Sequence, residues 1–84
     1  MNTVKVAVVY LGQARQLADT KEEELVLPTP AKVEHAFSQA VNAHPKLSEL
    51  KNTIKLLING QWATENAELK DGDRVTFLPP VGGG

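Results

Sequence analysis

Few side chains in this sequence are equipped for chemistry, and their spacing does not assemble a catalyst. His35 and His44 lie nine positions apart with no cysteine and no H-x-x-x-H pattern between them, which argues against a zinc site. His44 precedes Pro45 and is expected at a helix end facing solvent, where a positive charge is favourable. Asp71 and Asp73 flank Gly72. Paired carboxylates can bind metal or exchange protons, but D-G-D between two strands is ordinary turn chemistry. Ser38 and Ser48 lack the G-x-S-x-G elbow that exposes a nucleophile. The absence of cysteine removes a disulfide framework, a thiolate metal site and a cysteine nucleophile. Arg15 is either solvated or an anchor for a partner's carboxylate.

There remains the uncharged segment Leu78-Pro79-Pro80-Val81-Gly82-Gly83-Gly84. Its glycines are no phosphate loop, because no helix comes after them to supply N–H donors. Pro79 and Pro80 fix φ and favour an extended strut that projects the last four residues away from the fold. Glycine has no Cβ and can enter a channel too narrow for any side chain. A stiff spacer leading to a thin tip suits insertion into another protein's active site. The reactive group at that tip is the α-carboxylate of Gly84. The pattern therefore reads as a substrate or carrier, with Pro79, Pro80, Val81, Gly82 and Gly83 as the inserted tail.

Periodicity identifies the elements that must present this tail. Val4, Val6, Val8 and Tyr10 alternate with Lys5, Ala7, Val9 and Leu11, which predicts a strand over Val4–Leu11. Its second set is partly apolar, so the outer face is not wholly wet. Gly12–Glu24 is polar and reads as a solvated loop containing the charge run Lys21–Glu24. Leu25–Leu27 reads as a second strand ended by Pro28. Thr29-Pro30 reads as the cap and first position of a helix. Val33, Ala36, Phe37, Ala40 and Val41 form its apolar stripe, and Pro45 stops it near Ala43. Lys46–Lys51 suits a further helical turn. Ile54, Leu56 and Ile58 alternate in a third strand, Asn59-Gly60 is a hairpin turn, and Gln61–Ala63 returns. After the Asp71-Gly72 turn, Val75 and Phe77 point one way in a last strand.

The order β-β-α-β-β-β predicts an α+β domain over residues 1–78: a mixed four- to five-stranded sheet with one main helix on one face. Residues 79–84 form an extended tail. At 84 residues there is room for one domain. Nine basic against ten acidic residues leave a net charge of −1, without the basic field that phosphate backbones attract. Neither nucleic acid nor membrane is therefore expected as a partner. The longest apolar run, Val6–Leu11, is too short to span a bilayer. Met1-Asn2-Thr3 leads straight into the first strand, and the expected location is the cytoplasm. Strand parity places Leu11 and Leu78 on the face away from the helix. With Trp62 they form a candidate docking patch, Trp62 being alternatively part of the core.

The whole chain resembles the small subunit of molybdopterin synthase, the MoaD-like sulfur carriers of the ubiquitin-like β-grasp family. The likeness rests on Tyr10-Leu11-Gly12-Gln13-Ala14-Arg15-Gln16-Leu17, His44-Pro45-x-Leu47, Leu69-Lys70-Asp71-Gly72-Asp73-Arg74-Val75 and Pro79-Pro80-Val81-Gly82-Gly83-Gly84. The D-G-D stretch is weakly specific and the double-proline ending is quite specific. Gly82 stands where serine, threonine or alanine is commoner, and Gln16 where glutamate is common.

The resemblance implies a β-grasp fold and a chain that is no enzyme by itself. It implies that a ubiquitin-activator-like adenylyltransferase uses ATP to join the Gly84 carboxylate to AMP. A sulfur donor, such as a cysteine desulfurase or rhodanese, then converts the glycyl adenylate to a thiocarboxylate (1-thioglycine). The tail enters the large synthase subunit and donates sulfur to precursor Z, the cyclic pyranopterin monophosphate. Two small and two large subunits form a heterotetramer, and neither a resident cofactor nor a metal is implied. Two other classes fit the same pattern: a ubiquitin-like modifier, or a sulfur carrier for thiamine or tRNA thiolation, and a noncovalent β-grasp interaction module.

Overall fold

The computed structural model describes residues 2–80. In chain order the elements are β1 (Thr3–Tyr10), α1 (Gly12–Ala18), β2 (Glu22–Pro28), β3 (Ala31–Lys32), α2 (Val33–Ala43), a 3-10 turn (Pro45–Leu50), β4 (Lys55–Ile58), β5 (Gln61–Ala63), β6 (Glu68–Leu69) and β7 (Arg74–Leu78). Five strands form one mixed sheet in the order β2-β1-β7-β4-β5, and β3 pairs with β6 in a small second sheet. β1 and β7 run parallel at the centre, while β2, β4 and β5 add antiparallel. The expected α+β architecture is present, with two additions: α1 and the small sheet.

The period-two pattern explains the core. Val4, Val6, Val8 and Tyr10 of β1 are buried, as are Leu25, Leu27, Val75 and Phe77 on the strands beside it. The α2 stripe covers them, with Val33, Ala36 and Ala40 buried and Phe37 and Val41 packed at its margin. Phe77 sits edge-on between Tyr10 and Phe37, with ring centroids 5.6 and 5.4 Å apart. Such contacts add about 0.5–1.5 kcal/mol each beyond the area buried.

Two stretches differ from the sequence reading. Gly12–Glu24 is not a solvated loop. Ala14, Leu17 and Ala18 recur at helical spacing on α1, where Ala14 and Ala18 are buried and Leu17 packs on the core. Glu22–Glu24 is strand, because it pairs with Val9–Ala7. The helix also starts later than Thr29-Pro30. Residues 31–32 are held extended by β6, and the Val33 and Glu34 N–H groups donate to the carbonyls of Ala67 and Glu65. Tertiary acceptors thus satisfy the N–H groups that Thr29 was expected to cap. The backbone N–H of Lys32 donates to Nδ1 of His35 at 3.0 Å.

His44 does not face open solvent. Its Nε2 lies 2.8 Å from Oε1 of Glu23, the two side chains are mostly covered, and the Tyr10 hydroxyl donates to the same oxygen. This cluster fastens β2 and the end of α2 to β1. Burial pushes the Tyr10 phenol well above its usual range, and the hydrogen bond to Glu23 and that carboxylate's charge push the same way. Tyr10 is the single tyrosine, so the consequence is directly measurable. The unfolded phenol ionises near pH 10, by its reference value. Above that the unfolded chain binds fewer protons than the folded one, so stability falls by about 1.4 kcal/mol per pH unit. Tyrosinate absorbance is expected to rise only together with loss of near-ultraviolet circular dichroism. Tyr10→Phe should lose about 1–2 kcal/mol at neutral pH and shed that part of the alkaline slope. Tyrosinate forming in a still-folded chain would contradict the burial argument.

Candidate functional site

The two acidic turn residues are consumed by architecture. Oδ1 of Asp71 accepts the Lys5 N–H at 2.8 Å, and Oδ2 of Asp73 accepts the Lys70 N–H at 2.8 Å. Asn59, in the left-handed region at φ 51°, donates to Oδ1 of Asp73 and accepts the Arg74 N–H, tying the β4–β5 turn to the start of β7. A carboxylate bonded this way is a turn brace, and this brace lies at the pole opposite the tail. An open groove of about 590 Å³ lies between α2 and β4–β5, lined by Phe37, Ile54, Leu56 and Ala63 among others. Ser38 and His35 border it, but Nδ1 of His35 is occupied by the Lys32 N–H. Arg15 is exposed on α1.

The tail root sits where three elements converge. β7 ends at Leu78, paired across to Lys55 at the start of β4. The Leu11 N–H donates to the Phe77 carbonyl at 3.3 Å, which keeps the end of β1 beside the end of β7. Gly12 then opens α1 at φ 50°, a conformation that costs a residue bearing Cβ. Pro79, assigned to the tail in the sequence reading, is buried, while Pro80 is exposed. The folded body therefore continues one residue past Leu78. Val81, Gly82, Gly83 and Gly84 lie outside the described residues.

Beside this root lies an uncovered sheet face. Cross-strand register aligns Glu22, Val9, Thr76, Leu57 and Trp62 in one row across all five strands on the side away from α2. Trp62 is 70% exposed, so the core alternative for it is set aside, and Leu11 is 39% exposed. Leu78 is only half-buried rather than open, one pleat along β7 from Thr76. Leu57 and Val9 belong to this band and escaped the sequence reading. The alternation of β1 hinted at Val9, and the Leu56-Leu57 doublet, with apolar groups on both faces, was the signal for Leu57. Toward β2 the same face turns charged, with Arg74 3.2 Å from Glu22 and Lys5 4.0 Å from Glu24. Exposed pairs like these add little stability, but charge along β2 discourages edge-to-edge pairing with another chain. The β4–β5 half of the face is left largely apolar, next to the tail root. Among the described residues, no helix is long and apolar enough to cross a membrane.

Known proteins share this fold. The model of the ThiS family matches residues 8–84. Among curated relatives, the molybdopterin synthase sulfur carrier subunit of Chlamydomonas reinhardtii is 30% identical, over 96% of this chain and 100% of that protein. The one from Mycobacterium tuberculosis is 32% identical, over 96% and 99%. A solved Pyrococcus furiosus structure, provisionally named molybdopterin converting factor, subunit 1, superposes with TM-score 0.84 at 36% identity, over 93% of this chain and 99% of that one. Small archaeal modifier protein 1 of Methanosarcina acetivorans gives TM-score 0.86 at 26% identity, over the whole of both chains. A chain in the complex of subunits 1 and 2 of the molybdopterin-converting factor from Helicobacter pylori gives 0.63 at 26%, over 96% and 100%. The fold is thus the ubiquitin-like β-grasp.

Proposed function

The chain belongs to the ThiS family, and on that premise we propose that it is the sulfur-carrying small subunit of a molybdopterin synthase. The observation that carries this reading is the pairing of a proline-braced glycine tail with an uncovered apolar sheet face at its root. A tail that must enter a partner's active site needs a surface that docks the body beside the entrance. The name of the Helicobacter pylori complex records a subunit 1 bound to a subunit 2, which supports a large synthase subunit as the partner of this face.

The chemistry of the tip is acyl activation. The Gly84 carboxylate attacks the α-phosphorus of ATP, pyrophosphate leaves, and a glycyl adenylate results. A donor persulfide attacks the acyl carbon, the C–O bond breaks and AMP leaves. A thiol then cleaves the remaining S–S bond and releases the thiocarboxylate. That sulfur is the nucleophile delivered to precursor Z within the large subunit. Acid–base groups for these steps belong to the activating enzyme and to the large subunit. This chain contributes the carboxylate, its reach and its docking face.

The test is intact mass after incubation with ATP, a sulfur source and the cognate activating enzyme. The expected gain is that of one sulfur replacing one oxygen. Likeness to small archaeal modifier protein 1 favours a second reading, attachment of Gly84 to target lysines. Lysine adducts in place of a free thiocarboxylate would establish it. The same assay tests the narrow-channel argument. Gly83→Ala and Gly83→Val are expected to lose loading in order of side-chain size, with unchanged melting temperature. A substantially lowered melting temperature for Gly83→Val would instead make the tail part of the fold.

A further inference from the structure

Gly12 is the third partner at the tail root, and the proposed chemistry assigns it no task. Among the described residues beyond its chain neighbours, a Cβ built on Gly12 would meet one heavy atom within 4 Å, Cγ of Pro79 at 3.4 Å. The buried Pro79 therefore lies beside the β1–α1 turn, with its ring on the side where a Gly12 side chain would project. Four local restrictions meet there. Pro79 and Pro80 fix their own φ, and a residue preceding proline is held extended, which applies to Leu78 and to Pro79. β7 pairing holds Leu78 from behind. The chain thus leaves the body with its first residue clamped and its next torsions narrowed.

We infer that Gly12 is a positioning residue for the carrier reaction: with Pro79 it forms the seat that aims the tail. The inference rests on the sulfur-carrier reading for its consequence but not for its geometry. Positioning matters because a displacement of about 1 Å at a reacting group can cost a hundredfold in rate. A tail already aimed also loses less conformational freedom on entering its channel. Gly12 serves this twice over. Its φ of 50° is one that a residue bearing Cβ rarely adopts, and a side chain reaching beyond Cβ would crowd the Pro79 ring, which a Cβ alone would only touch at 3.4 Å.

The chain has one tryptophan and no cysteine, so energy transfer from Trp62 to an acceptor on Gly82→Cys reads the tail's direction without any enzyme. Gly12→Asn is the main variant. Asparagine tolerates positive φ, its amide crowds the Pro79 ring, and every tail residue is untouched. Pro79→Gly removes the ring and serves if Gly12→Asn does not fold. Relative to the chain with Gly12 and Pro79 intact, the distance distribution is expected to shift or broaden in both variants. In the sulfur-loading assay without label, each variant should lose at least fivefold in kcat with KM within twofold. The double variant should lose no more than the worse single one, since both act through one contact. Identical distance distributions overturn the seat. Altered distributions with unchanged kcat, or additive losses in the double variant, overturn its role in the reaction. Failure of the wild-type chain to gain sulfur sinks the carrier reading, whereas the distance measurement judges the seat by itself.

Discussion

A chain shortened by Gly84 alone is expected to gain no sulfur, and so is a chain extended by any residue after it. The argument is chemical and steric together. Activation needs a free carboxylate at the tip, and the tip has to reach an adenylation site through a passage that excludes side chains. Deletion withdraws the carboxylate by one residue, roughly 3.3–3.6 Å in an extended chain. Against a tolerance near 1 Å for a reacting group, that is outside productive range. Extension places an amide where the carboxylate should be. Intact mass checks both variants, and their melting should match wild type. Normal loading of the Gly84-deleted chain would remove the basis for calling this protein a sulfur carrier.

The second large effect is expected on the open sheet face. Trp62→Ala should weaken binding to the large synthase subunit by about thirtyfold or more, the usual consequence of truncating an interface anchor worth at least 2 kcal/mol. At 70% exposure Trp62 contributes little to the fold, so its loss should leave melting nearly unchanged. Leu11→Asp should act in the same direction, since it places an unpaired charge against the partner. Leu57→Asp and Leu78→Asp test the same band, but both residues are half-buried, so their melting is read first. Titration calorimetry decides the matter. Wild-type affinity in Trp62→Ala and Leu11→Asp would move the interface elsewhere and leave the tail as the contact.

Most of the sheet was legible because strand faces obey period two. Val4, Val6, Val8, Tyr10, Val75 and Phe77 were all placed inward by alternation, and all are buried. The α2 stripe was legible for the same reason at period 3.6. The features that escaped depend on partners far along the chain. Glu22–Glu24 carries no strand propensity and becomes strand because β1 offers it a ladder. Thr29-Pro30 has every local mark of a helix start, yet carbonyls of residues 65 and 67 cap the helix three residues later. α1 hid because two of its inward residues are alanines, whose burial reads weakly in a polar stretch. At the site, the tail announced itself through composition. The Leu57 and Val9 part of the docking band needed the cross-strand register, and the Pro79 seat needed the position of Gly12.

The central pairing of β1 with β7 joins strands from nearly opposite ends of the chain. Because β7 also carries β4 and β5, three of the five strands cannot join β1 until residues 74–78 exist. Long-range pairing of this kind is slow to form and leaves little native structure to partial chains. A nascent or truncated copy without β7 therefore exposes the apolar sides of β1 and β2, a state that proteases and chaperones recognise. The strand that completes the fold is the one that bears the tail. Completion of the body and presentation of the tail are thus a single event, and a copy cut short before β7 also lacks the folded face with which to occupy a partner.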